Sequence, residues 1–256
     1  MATLAPQLPV SRGGDRFFAN LALWMCVVTV AGFVVNLAFH RSSFNSPLVT
    51  HLHAVTFMGW VFLFITQSRL GVGESRALHR TLGWIAAFWT LWMLVMGCVI
   101  TVSMVRRGVA PFFFEPQYLM IVDPLTLVAF VAITRWAVAK RRETDWHSRL
   151  HIVAMTMLVP PGVGRLLPLP LFQPWSYEVA VGAALIFPAI GAVRDKVKFG
   201  RVHPAWWVAF AAMFVAVGAA RLIAFSPAGD ALYHAAVAGY PGEAIPGDQR
   251  EAPPPM

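Results

Sequence analysis

Charge is what this 256-residue chain has least of: 12% of its residues are charged, against roughly 25% in soluble globular domains. That deficit excludes a water-soluble enzyme of ordinary surface chemistry. Disorder is excluded from the other side, because 58% of the residues are hydrophobic and disordered chains lack apolar content. Cysteine is almost absent. Cys26 and Cys98 both fall inside apolar runs, where thiols behave as small hydrophobes, and two are too few for a cysteine-built zinc site. No phosphate-binding glycine loop, no nucleophile elbow and no solenoid repeat occurs. The last apolar run, 204–225, has no lysine, so a retinal Schiff base cannot form there.

What the chain does have is long apolar runs. About 20 helical residues cross a bilayer, and seven runs approach or exceed that length: 17–39, 49–68, 82–104, 118–139, 150–168, 176–193 and 204–225. The expected fold is all-α, a polytopic membrane helix bundle of seven transmembrane helices. Residues 1–16 form an N-terminal segment, 17–225 the membrane domain and 226–256 a mostly disordered tail. Pro and Gly crowd that tail, and 230–239 is its one stretch suited to a short interfacial helix.

The net charge of +8 is distributed by topology. Of 20 Lys and Arg, 14 fall on one side of a seven-span chain, in the groups around Arg12, Arg76, Arg141 and Lys196. Positive charge resists translocation, so that side is expected to be cytoplasmic, with the N-terminus inside and the C-terminus outside. The basic runs serve as topology determinants and contacts to anionic lipid rather than to nucleic acid.

Ionisable groups inside a span are functional candidates by default. At the outer mouth the sequence places His40, His51, His53, Asp123, Arg165, Glu178 and Arg221. His51 and His53 are two residues apart and point to different faces of a regular helix. They can share an ion only if the helix starts irregularly. Asp123 precedes Pro124 and is biased away from helical dihedrals, which suggests a short lead-in ending there. A metal held by His51, His53 and Asp123, and a substrate held by Arg165 and Glu178, stand beside plain interhelical ion pairs. At the inner mouth lie His79, His147, His151 and His203. His147 and His151 have i,i+4 spacing and share a face; His79 and His151, from different helices at matching depth, meet the requirement for a two-imidazole haem. Pro160-Pro161-Gly162 forces a kink or break in the fifth run.

The residues His51-Leu52-His53, Trp60, Gln67, Leu78-His79-Arg80, Gly83-Trp84, His147-Ser148-Arg149-Leu150 and Arg165 form a pattern that resembles a family of bacterial multi-pass inner-membrane proteins without an assigned activity. The resemblance covers 51–165 and implies a bacterial inner-membrane location. The paired helix-end histidines are also similar to those of cytochrome b561-like proteins, which implies haem. The fourth run departs from that pattern, since it has no histidine for a second haem.

The leading expectation is a haem- or metal-bearing redox protein, with haem b or a transition metal at His79, His147 and His151, and with the bilayer and a quinone or redox protein as partners. A membrane-embedded zinc hydrolase acting on lipid-like substrate is the alternative, followed by a transporter using Arg165 or an assembly subunit.

Overall fold

The computed structural model describes residues 16–42, 44–73 and 75–250. The polar head with Arg12 and the final prolines, 253–255, lie outside the described residues. The described residues fold as α1 (Arg16–Ala38), α2 (Leu48–Leu70), α3 (Arg76–Arg107), α4 (Pro116–Ala139), α5 (Thr144–Thr156), α6 (Pro160–Gly164), α7 (Ser176–Ala184), α8 (Ile186–Phe199), α9 (Ala205–Ala224) and α10 (Pro227–Val237). Short 3-10 turns cover Leu169–Phe172 and Pro241–Ala244. Among the described residues six helices are long and apolar enough to cross a membrane: α1, α2, α3, α4, α9 and the joined α7–α8, Ser176–Phe199. This is the architecture of a multi-pass membrane protein.

Its outer faces confirm the solvent that the composition demands. Phe214 and Leu222 on α9 are 81% and 80% exposed, and Trp24, Phe62 and Phe88 also point outward. Lipid tolerates such surfaces, where water would not leave an apolar patch of this extent uncovered. α4 occupies the interior, packed against α3, α5 and α9. The helix runs unbroken through Asp123 and Pro124, so Asp123 sits mid-helix rather than ending a lead-in. Proline costs a backbone hydrogen bond there, but neighbouring helices hold the segment straight enough to absorb it.

The run expected as a seventh span, 150–168, is not one long helix. α5 ends at Thr156, the chain turns through Met157, Leu158 and Val159, and α6 restarts at Pro160. The break precedes the prolines because neither Pro160 nor Pro161 can donate to the carbonyls one turn back. Unlike the lipid-facing helices, this segment is deeply enclosed, with Leu150, Val153, Met155, Thr156 and Val159 almost fully buried.

Two glycines permit that burial. A Cβ on Gly32 would stand 1.9 Å from the Gly162 carbonyl oxygen, and one on Gly162 would stand 2.6 Å from Thr29 Cα. The backbones of α1 and α6 therefore touch, in the small-residue packing common between membrane helices.

Two ends of the bundle can be distinguished. The basic rim carries Arg69, Arg76, Lys140 and Lys198. At the opposite rim the described part of the tail, 226–250, packs onto the bundle, with α10 over most of the stretch suited to a short helix: Tyr233 and Val237 of α10 are buried, and the Arg106 Nε donates to the Ala236 carbonyl at 2.8 Å. Gln117 N–H donates to Gly247 at 3.0 Å, Tyr233 Oη donates to Ile245, and Arg250 pairs with Glu115. An aromatic ring over polar backbone thus holds a segment whose composition reads as loop.

Gly32→Ala and Gly162→Ala are each expected to destabilise the protein by about 1–3 kcal/mol, the usual cost of overpacking. Gly218→Ala, where a Cβ meets nothing within 4 Å, should leave unfolding in mixed micelles unchanged.

Candidate functional site

The basic rim gathers three imidazoles. His79 lies in the first turn of α3, where its carbonyl accepts from Gln67 Nε2 at 3.0 Å. That bond sets α3 and α2 at matching depth. The His79 ring meets the His147 ring edge-on at 6.3 Å between centroids, and His147 meets His151 at 4.6 Å. His147, rather than His151, is therefore the neighbour of His79 across the helices. The i,i+4 spacing of α5 puts the second ring behind the first.

The tautomer of His147 is set by its surroundings. Its Nδ1 donates to the Ala137 carbonyl at 2.8 Å, which leaves Nε2 bare and available to a metal. His79 Nδ1 is buried and has no hydrogen-bond partner. Among the described residues, however, no group of three or more His, Cys, Asp or Glu side chains stands placed to hold a metal ion. The rings adjoin one another without their nitrogens converging on a common point. His203 is separate: its ring packs on Trp146 at 4.8 Å and its Nδ1 accepts from Ala205 N–H at 3.2 Å, closing the start of α9.

On the other face of α5 lies a feature that sequence reading missed. Arg149, 2% exposed, forms a two-pronged pair with Asp195 of α8: Nε to Oδ2 at 2.7 Å and Nη2 to Oδ1 at 2.8 Å. Trp206 Nε1 donates to the same Oδ2 at 2.7 Å, and Arg194 Nη1 to Oδ1 at 3.0 Å. Arg149 also donates to the Asp145 carbonyl and lies over the Phe18 ring. The Trp206 ring can approach because residue 191 is glycine; a Cβ there would be 2.3 Å from it. In the sequence Arg149 stands among the basic residues that mark one side of the membrane. The available signal was one acid, Asp195, alone within the run Arg194–Lys198 at the end of an apolar helix.

The opposite rim separates the expected residues. α2 is regular through His51 and His53, so the irregular start needed to unite them does not occur. His51 Nε2 bonds to the Phe44 carbonyl at 3.1 Å, while His53 packs on Phe57 at 4.3 Å. His40 is exposed in a left-handed turn after α1. Glu178 pairs with Arg221 at 2.7 Å rather than standing free for substrate beside Arg165. Arg165 donates from Nη1 to the Pro161 carbonyl at 2.5 Å and lies 4.3 Å over the Phe33 ring. Its charge acts on both Asp123 and His53, yet no ion pair closes between Asp123 and Arg165. The structure therefore brings His53, Asp123 and Arg165 into one neighbourhood and leaves His51 outside it. Cys26 and Cys98 are free thiols.

Removing one member of the Arg149–Asp195 pair is expected to cost about 3–5 kcal/mol, because it strands a buried charge. Asp195→Ala should show this in denaturant unfolding, and the double exchange Arg149→Leu with Asp195→Leu should recover most of it. Burial, followed by the Arg149 charge, holds His203 below the ordinary imidazole pKa. The unfolded chain then binds that proton more readily, so the stability His203 confers is complete above about pH 6.5 and is lost as the pH falls below it. His203→Asn keeps an acceptor for Ala205 and should flatten the acid side of the thermal-stability profile.

Comparison with family models, with curated proteins and with solved structures finds no match to this chain.

Proposed function

We propose that this chain is a membrane redox protein that holds haem b or a transition metal through imidazoles at its basic rim. The observation that carries the reading is the contact of His79, His147 and His151, with His147 Nε2 left bare by the Ala137 bond and His79 Nδ1 buried without a partner. An unsatisfied buried ring nitrogen is costly, and a bound metal is one way of satisfying it. Such a metal would supply one-electron chemistry.

The chain's own residues do the positioning. Ala137 fixes the His147 tautomer, Gln67 anchors the backbone of His79, and the Arg149–Asp195 pair holds α5 at its depth. Were a haem bound, His79 and His147, whose rings adjoin across two helices, would be the residues to hold it, with His151 behind His147.

In the same reading α5 and α6 together make a seventh crossing, of broken form. The basic rim lies in the cytoplasm with the N-terminus, and the membrane is the bacterial inner membrane, on the resemblance carried by His51–Arg165. A quinone or a redox protein would be the electron partner.

Protein purified from membranes is expected to carry close to one equivalent of haem or metal, read by its absorption spectrum and by elemental analysis. His79→Ala and His147→Ala should each lower that content at least ten-fold, whereas His51→Ala should leave it unchanged. Folded wild-type protein with neither a Soret band nor bound metal, even after supplementation, would sink the reading.

A further inference from the structure

Among the buried polar atoms near the opposite rim that have no hydrogen-bond partner are His53 Nδ1 on α2 and Arg165 Nε after α6, whereas Tyr118 Oη and Glu178 of α7 serve one another. Buried polar atoms are paired in the great majority of cases, so unpartnered atoms on neighbouring elements at one end of the bundle point to something shared. The groups are linked to one another. Tyr118 packs on Tyr177 at 5.5 Å and beneath the Arg221 guanidinium at 4.7 Å; Arg221 holds the other Glu178 oxygen. Asp123, one turn and a half along α4 from Tyr118, has no hydrogen bond or ion pair to its carboxylate. Thr126 Oγ1 satisfies only its backbone carbonyl, at 2.9 Å.

The charge balance restricts what can enter. The formal charges of Arg165 and Asp123, and of Arg221 and Glu178, offset one another. A charged guest would be uncompensated in a low-dielectric setting. The unfilled positions are a donor (Arg165 Nε–H), an acceptor (the Asp123 carboxylate) and one group that can serve either way (His53). A hydroxyl group both donates and accepts, and so answers this set where an ether, a carboxylate or an ammonium does not. Apolar surface adjoins it: Phe33 lies beneath Arg165, Phe57 against His53, and Leu171, Phe172 and Trp175 are exposed beside the rim.

We propose that His53, Asp123 and Arg165 bind a neutral hydroxyl-bearing head group carried on an apolar, membrane-soluble body. The site is separate from the imidazoles of the basic rim and holds whether or not those bind metal.

The test uses the full chain in detergent and follows its unfolding temperature against added ligand. The probes are 4-decylphenol and monodecanoylglycerol, which carry aromatic and glyceride hydroxyls, with decyl methyl ether and decanoate as controls. One or both hydroxyl probes should stabilise the protein saturably, and which one does identifies the source of the head group. Neither control should do so. Asp123→Asn should raise the half-saturating concentration about ten-fold, the loss of one strong hydrogen bond, and His53→Phe offers a second route should that variant fold poorly. Equal stabilisation by the ether and the phenol overturns the proposal, as does a lack of any saturable effect, which leaves the orphaned atoms to water alone. Metal content is measured on the same preparations, so failure here and failure of the redox reading remain distinguishable.

Discussion

The buried pair between Arg149 and Asp195 is the constraint on which the arrangement depends. Charges of this kind are rarely found fully enclosed unless every lone pair and proton is met, and here both are. Asp195 accepts from Arg149, Trp206 and Arg194 together, so its carboxylate has four contacts for two oxygens. The pair joins α5 to α8, recruits α9 through Trp206, and reaches α1 through the Phe18 ring. α5 needs such an anchor because it is short for an enclosed helix, 13 residues, and its far end is broken at Met157. Arg149 lies two residues from both His147 and His151, so the helical repeat turns it away from them. One turn of α5 thus carries a structural lock on one face and the imidazoles on the other.

The membrane architecture was legible because it depends on composition and length, which need no knowledge of packing. The six long helices follow apolar runs that any transfer scale would mark. The interior lock was not legible, because a buried Arg and an exposed Arg look alike in sequence: Arg142 is exposed in the turn before α5 and Arg149 is enclosed one turn into that helix. Histidine clustering at the basic rim was partly legible. The i,i+4 spacing of His147 and His151 fixed their common face, but the partner of His79 depends on how far α5 extends past the basic rim, and that is decided by Asp195. The tail was legible in part, since 230–239 was the stretch suited to a short helix and α10 covers most of it. Pro and Gly in 226–256 signal loops, yet burial of Tyr233 and Val237 against α4 and α9 turns Pro227–Val237 into a docked helix.

The break between α5 and α6 connects sequence to site at the opposite rim. A straight helix would carry Arg165 on past the rim. Instead the paired prolines stop α5, Gly162 lets the restarted turn lie against Gly32, and Arg165 folds back over Phe33 to its own Pro161 carbonyl. Pro124 in α4 meets the opposite fate, since the helix there is clasped on three sides and continues. Proline sets a preference in both places, and the number of packed neighbours decides whether the preference is obeyed.

Between the two polar rims the bundle is filled by hydrocarbon and rings. Trp60 is buried against Phe64 and Phe130, while Trp89 and Trp92 spend their indole N–H groups on Thr56. His53 and Gln67, which marks the depth of His79, are separated along α2 by about 21 Å at 1.5 Å per residue. No titratable side chain of α2 lies between them, so protons have no relay along that helix. Chemistry at one rim can therefore influence the other through electrons or through the rigid packing of α4 and α5, but not by handing protons along α2. That division explains why the polar groups concentrate at the ends: a charge at mid-depth would have to be solvated by a cluster as complete as the one around Asp195, and the apolar middle offers no partners to build it.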